Sequence, residues 1–380
     1  MMNSLRSRFR RRLAVGALIV ASAAVLSGCA GGGTDAGSTD SAGGGEGGDK
    51  PIKIALSNYF NGNIWRKQME ASFEATAKAN PDKVSDFKVV NSDGSAPQQA
   101  QQIQSLVLEG YDAIIIDAAS PTALNGAIQE ACDAGVTVVV FDSLATAECA
   151  YKVAFDYETY GAVEAQFLAD QLGGKGNLLF VRGIAGITVD DDIYRGATQV
   201  LEKYPDMKIV GEVYGEFTES TAQQEVAKIL PSLPQVDGVL TEGNDGGGTL
   251  DAFLQAGTSP LPVIIQGNSG QGLEGWVKVA QENPDYKTMS ISSQPSISST
   301  ALWLSWMLIN DQDDAADLPD KTVYAPLLII PEANRDAWAD ALEYTQIAEN
   351  PTTLEQAQTY VKAAIDGDPV LQDEPLPPTN

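Results

Sequence analysis

The 380-residue chain contains no histidine. That absence removes Ser-His-Asp and Cys-His catalysis, HExxH zinc chemistry and most metal sites built on imidazole. Only carboxylates are left for acid–base work, and no cofactor or metal is expected. Cysteine is nearly absent too: Cys29, Cys132 and Cys149 are the three present. Positive charge is scarce, with 24 Lys and Arg against 51 Asp and Glu, a formal net charge of −27. Such a field repels nucleic acid and anionic head groups, so neither is an expected partner. The chain also lacks a long apolar run. Leu13 to Leu26 is shorter than the ~20 residues needed to cross a bilayer, and no stop-transfer pattern follows it.

That run follows Arg6, Arg8, Arg10, Arg11 and Arg12, which makes it an export signal. Leu26-Ser27-Gly28-Cys29 resembles the lipobox of bacterial lipoproteins. The resemblance implies removal of residues 1–28, lipid attachment at Cys29, and a place on the extracytoplasmic face of the cell membrane. An ordinary signal cleaved nearby, with Cys29 incidental, is the alternative; the route, Sec or Tat, stays open. Residues 29–50 are almost entirely Gly, Ser, Thr, Asp and Ala. They cannot bury enough surface to offset the entropy of ordering, so a disordered tether spanning roughly 25 Å is expected. An oxidising compartment then leaves Cys132, late in a helical stretch, and Cys149, just beyond the next strand, to form a disulfide. Two buried free thiols are the other possibility.

From Pro51 the chain alternates short, continuously apolar runs with helical patterns. "IKIAL" (52–56), "AIIID" (113–117), "VTVVVFD" (136–142), "NLLFV" (177–181), "DGVLTE" (237–242) and "PVIIQG" (262–267) are examples. Runs without alternation are buried on both faces, as parallel strands covered by helices are. "AQQIQSLVLEG" and "YGAVEAQFLADQLGG" end at Gly110 and at Gly173-Gly174, as helices commonly do. The class is therefore α/β. A barrel and a pair of doubly wound lobes both fit that alternation. "GQGLEG" (270–275) matches a dinucleotide fingerprint but lacks the acidic ribose ligand at the next strand end, where Gln294 stands. "DDDIYRG" (190–196) complements a helix dipole, and "NDQDDAADLPD" (310–320) lacks the turn glycine of a calcium loop and is a solvated loop.

Open parallel sheets bind ligands beyond the C-terminal ends of their strands. Those ends carry Asn63, Trp65 and Arg66, then Asp142, Phe217, Asn244 with Asp245, Asn268 and Gln294. Amides, a carboxylate and a guanidinium match vicinal hydroxyls, while Trp65 and Phe217 supply flat partners for the C–H faces of a sugar ring. No activated nucleophile appears among them.

"IALSNYFNGNIWR", "VVVFDS", "VRGIAG", "TEGNDGGGTLDAF" and "ISSQPSISS" occur in this order over residues 51 to about 335. As an ordered set they resemble the ribose/galactose type of solute-binding protein that serves ABC importers, the type I periplasmic binding proteins. The resemblance implies two Rossmann-like, doubly wound parallel-sheet lobes joined by a three-stranded hinge. It sets an N-terminal lobe of 51–155 plus 295–323, a C-terminal lobe of 156–294 plus 324–345, and an extension, 346–380, of open role. It implies a monosaccharide closed between the lobes, with Trp65 stacked on the ring and Phe217 opposite. Asp142, Asn244, Asn268 and Gln294 fall at its hydroxyl-binding positions, and Arg66 beside Trp65 resembles its furanose and pyranose binders. A permease is the implied partner, and a monomer without enzymatic activity the implied state. The chain departs from the ribose binders at Ser143 and Ile193, where they carry Arg, and at Asn268, where they carry Asp. Two lost guanidinium groups leave the identity of the sugar open, with Arg195 the one candidate to compensate. A receptor for a furanose-like signal or nucleoside is the alternative. A glycoside hydrolase using Asp142 with Asp156 or Asp245 is a further one.

Overall fold

The computed structural model describes residues 49–368. The expected signal, Cys29, the tether up to residue 48 and the chain from residue 369 lie outside the described residues.

The apolar runs fold as strands. The first five are β1 (Ile52–Asn58), β2 (Val84–Asn91), β3 (Ala113–Asp117), β4 (Thr137–Phe141) and β5 (Tyr151–Ala154). The next five are β6 (Lys175–Arg182), β7 (Asp206–Tyr214), β8 (Gly238–Thr241), β9 (Val263–Ile264) and β10 (Ser290–Ser292). Two short strands close the set, β11 (Thr322–Tyr324) and β12 (Leu328–Ile330). One sheet runs β2-β1-β3-β4-β5-β11, with every neighbour parallel. The other runs β7-β6-β8-β9, also parallel, and repeats the strand order of the first. A parallel bridge from Gln266 to Ser290 extends it into the antiparallel pair β10–β12. Two open sheets exclude the barrel that the sequence pattern also allowed.

Helices α1 (Ile64–Ala79), α2 (Ala96–Leu108) and α3 (Asn125–Asp133) accompany the first sheet. Helices α4 (Tyr157–Leu172), α5 (Thr188–Leu201), α6 (Glu219–Ile229), α7 (Gly246–Gln255) and α8 (Gly270–Glu282) accompany the second. Helix α9 (Ile297–Ile309) returns to the first sheet, where it packs on β4 and α1 and is buried on every face from Ile297 to Met307. A helix enclosed by a sheet on one side and helices on the other can be apolar all round. Among the described residues no helix is long and apolar enough to cross a membrane.

The chain passes between the sheets after β5, after β10 and after β11. Tyr324, placed by the sequence at the start of the last second-lobe segment, still pairs with Ala154 in the first sheet. A fourth passage was not read from the sequence. Helix α10 (Arg335–Ala341) packs on α8, whereas α11 (Leu354–Asp366) packs on α9 and β11. The stretch between them is held by both lobes. Its backbone bonds Asn268, Gly270 and Gln271 of the second. Ile347 exchanges two hydrogen bonds with the Gln68 side chain of the first, at 2.7 and 2.9 Å. Thr353 caps α11 in a reciprocal box with Gln356.

Two local features set the packing. Cys132 and Cys149 form a disulfide, with Cα atoms 6.4 Å apart and a sequence separation of 17. Helices α4 and α5 meet at glycine: a Cβ on Gly161 would collide with the Ile193 carbonyl oxygen, and one on Gly196 with that of Glu158. This backbone-to-backbone approach fixes the start of α5, which faces the other lobe. Replacing both cysteines with serine should lower stability by about 3 kcal/mol, read by chemical denaturation. Gly196→Ala should lower it by about 1–3 kcal/mol or more, because the facing atom is backbone and cannot swing aside.

Candidate functional site

The C-terminal ends of the two sheets face each other, and each strand end delivers side chains to a shared cavity of ≈ 390 Å³. The first lobe supplies Asn63, Trp65, Arg66 and Asp142. The second supplies Ile187, Val189, Phe217, Glu242, Gly243 and Asn244, and the crossings supply Tyr157 and Ser293. Beyond Asn63, Phe217 and Asn244 the cavity continues into a more open chamber bordered by Lys67, Gln223 and Tyr344. At the rim, the Leu144 N–H donates to Thr188 Oγ1 across the two lobes at 3.3 Å.

Local structure explains each placement. Asn63 caps α1, its side chain accepting the Arg66 N–H at 2.9 Å, so Trp65 and Arg66 sit in the first turn. Trp65 Nε1 donates to the Ser293 carbonyl at 3.0 Å, which fixes the ring as a wall. Phe217 follows β7 in a left-handed backbone conformation, φ 52°. Its ring lies where a side chain on residue 183 would be, so Gly183 is required there.

Arg66 ties the first wall together. Its guanidinium contacts Asp117 at the end of β3, pairs more loosely with Asp142 at 3.9 Å, and donates to Tyr59 Oη at 2.6 Å and Asn58 Oδ1 at 3.4 Å. It also lies over the Tyr59 ring at 4.0 Å. Asp142 stands at φ 56° and takes a 2.5 Å hydrogen bond from the Tyr157 hydroxyl. Burial pushes the Asp142 carboxyl up, while Arg66 and the Tyr157 bond pull it back down. In the second lobe, Arg182 holds Asp190 in a bidentate pair at 2.6 and 3.1 Å. Glu242 accepts the Gly183 N–H at 2.9 Å, and its carboxyl is pushed well up by burial and by Asp190.

Six of the residues nominated from strand ends line this cavity: Asn63, Trp65, Arg66, Asp142, Phe217 and Asn244. Asn268 and Gln294 do not. The Asn268 amide donates to the Leu328 carbonyl at 2.8 Å and accepts the Ser290 hydroxyl at 2.5 Å, which joins β10 to β12. Gln294 donates to the Pro326 carbonyl and accepts the Asn350 N–H, so it braces three chain segments near the crossings. Both amides already have structural partners. Arg195 does not compensate for Ile193 either: it pairs with Glu158 and Asp192 on the surface, while Ile193 is fully buried. Tyr157, Ile187, Val189, Glu242 and Ser293 were missed. Glu242 directly follows β8, so the strand-end rule that picked Asn244 also pointed to it.

Asp190 and Asp191 occupy the first turn of α5 as expected, and Asp190 is buried against Arg182. Ser269 and the following glycines open α8, with the Ser269 hydroxyl capping Gly272 at 3.0 Å. Among the described residues no group of three or more His, Cys, Asp or Glu is placed to hold a metal ion.

Behind the cavity wall, burial raises Asp245 from its ordinary 3.8 to about 7 and Glu219 from 4.5 to about 8. The folded state therefore holds these protons more tightly than the unfolded chain. Below about pH 4 both states are protonated and no penalty arises. As pH rises, the unfolded chain releases protons first, so stability falls until the pH passes the folded values. The melting temperature should thus be higher at pH 5 than at pH 8. Asp245→Asn should flatten the part of that fall below about pH 7; an unchanged slope contradicts the burial argument.

The chain matches the periplasmic binding protein domain over residues 54–313. It is 28% identical over 249 residues to the xylitol-binding protein of Mycolicibacterium smegmatis, covering 65% of this chain and 68% of that one. It is 24% identical over 245 residues to the D-xylose-binding periplasmic protein of Escherichia coli, covering 60% and 70%. The crystal structure of an ABC transporter solute-binding protein from Thermobispora bispora superposes with a TM-score of 0.77 at 38% identity, covering 86% of this chain and 99% of that one. By fold and by sequence, this chain belongs to the periplasmic binding protein domain family.

Proposed function

We propose that this protein is the extracytoplasmic solute-binding component of an ABC importer and carries a monosaccharide or related polyol between its two lobes. One observation carries the reading: a small cavity walled from both lobes, with Trp65 and Phe217 as flat apolar surfaces among hydrogen-bonding side chains. Rings of this kind match the C–H face of a sugar, and the amides and carboxyls match its hydroxyls. The relatives that bind xylitol and D-xylose support the same guest chemistry.

The mechanism follows from a cavity shared by two bodies. A guest touching both lobes binds the closed arrangement better than the open one, and that difference in affinity shifts the hinge equilibrium. A permease that recognises the closed form then receives the loaded protein. Cys29 would anchor it by lipid at the extracytoplasmic face of the membrane, and a single copy suffices because the chain supplies both walls. The carboxylates nominated for hydrolysis are engaged elsewhere or shut away from the cavity. Asp156 caps α4, Asp142 is held by Tyr157 and Arg66, and Asp245 is fully buried. This favours carriage of an unchanged guest.

Titration calorimetry with xylitol and D-xylose should give a Kd in the micromolar range or tighter, with quenched or shifted tryptophan fluorescence. Trp65→Ala should weaken binding at least about tenfold. Small-angle scattering should show a smaller radius of gyration with the sugar than without. If no neutral polyol binds, or if binding leaves the radius unchanged, the reading fails.

A further inference from the structure

We propose that the open chamber beside the cavity is a second sugar subsite, so that the guest is a disaccharide or another glycoside: one ring lies in the cavity and the next lies in the chamber against Tyr344. The assignment rests on the polyol reading above and extends it by one unit.

Three residues line both spaces and so form the neck between them: Asn63 from the first lobe, and Phe217 and Asn244 from the second. The chamber is the larger space, ≈ 860 Å³ against ≈ 390 Å³. The neck carries spare donors. Asn63 Oδ1 accepts the Arg66 N–H at 2.9 Å, and Asn244 Oδ1 accepts the Ser292 hydroxyl at 3.3 Å. Among the described residues neither Nδ2 has a partner, and neither is closed off from solvent. A glycosidic oxygen accepts hydrogen bonds and cannot donate them, whereas a hydroxyl does both. Two amide nitrogens, one from each lobe, therefore match a linking oxygen held at this point.

The chamber offers what a second ring needs. Tyr344, in the stretch between α10 and α11, is 49% exposed, which leaves an aromatic face open beside a polyol cavity. Lys67 of α1 and Gln223 of α6 border the chamber from opposite lobes, and among the described residues neither side-chain head group has a partner. In the inner cavity the corresponding groups are more often engaged, as Trp65 Nε1 is by the Ser293 carbonyl and Asp142 by the Tyr157 hydroxyl. Solvated polar groups around an aromatic face can exchange water for sugar hydroxyls at little cost. Lys67 stands against Asp251 on the same border, and the Glu219 carboxyl, raised to about 8 by burial, keeps its proton at neutral pH. The charges balance, which suits a neutral second unit rather than an acidic sugar.

Titration calorimetry with D-xylose against xylobiose, and with D-glucose against cellobiose, compares one ring with two. In at least one pair the disaccharide should bind about tenfold more tightly than its monomer. Tyr344→Ala should weaken that disaccharide by about three- to tenfold. Gln223→Trp, which fills the chamber, should bring it down to the affinity of the monomer or below. Both variants should bind the monomer within about twofold of wild type, because Tyr344 and Gln223 stand outside the inner cavity. Monomers that bind while neither disaccharide binds more tightly overturn the proposal. So do variants that weaken monomer and disaccharide alike, since a structural role predicts that loss and a subsite does not. If none of the four sugars binds and xylitol does not either, the polyol reading itself falls and takes the subsite with it, a result distinct from monomers bound without their disaccharides.

Discussion

Water excluded from between two lobes leaves every polar side chain there in need of a partner. That constraint organises the site. The Arg66 guanidinium is nearly fully buried, and a buried charge is tolerated only when paired and hydrogen-bonded. Asp117, Tyr59 and Asn58 supply the pairing. They come from the ends of adjacent strands, since Asn58 and Asp117 stand opposite one another in the register of β1 and β3. The parallel order of the sheet thus places the clamp, and the clamp places the wall that Trp65 and Asp142 complete. What the internal pairing leaves open is what a guest has to fill.

The second lobe repeats the arrangement with different chemistry. Its strands follow the same order, and the matching crevice between β6 and β8 carries Arg182, Gly183 and Glu242. Here the buried groups are mostly acids. Beside its own Arg182–Asp190 pair, Glu164, Glu219, Glu242 and Asp245 all have carboxyls raised by burial, which favours their protonated form. The chain gives up stability at neutral pH for this arrangement. The fourth passage between the lobes offsets some of that loss by tying α1 and α9 of one lobe to α8 of the other. Glu349 contributes through Gln68 and Ser72, and Thr352 through Thr300 and Trp303.

Strand and helix identity was legible because runs such as "AIIID" and "VTVVVFD" are apolar without alternation, which only strands covered on both faces require. Strands β5, β11 and β12 escaped notice. Three or four residues with mixed burial, as in "YKVA", carry no periodic signal, and their pairing depends on distant segments. The strand-end rule found six cavity residues, yet it could not say which way an amide points. Asn268 and Gln294 turn towards backbone carbonyls supplied by β12 and the third crossing, partners more than thirty residues away or close to it. Glu242 was hidden for the opposite reason: an acidic residue after a strand reads as solvated until Gly183, Arg182 and Asp190 of its own lobe enclose it. The tail gave only a helical pattern, and its docking rests on Gln68 and Asn268, which no local pattern connects to it.

A crystal structure of the protein grown with xylitol tests the central claim most directly. A hydroxyl-rich guest held between the lobes should appear as density between the Trp65 ring of one wall and the Phe217 ring of the other, within hydrogen-bond distance of Asp142 or Asn244. Density at any other surface, or a cavity left empty at saturating xylitol and D-xylose, contradicts it.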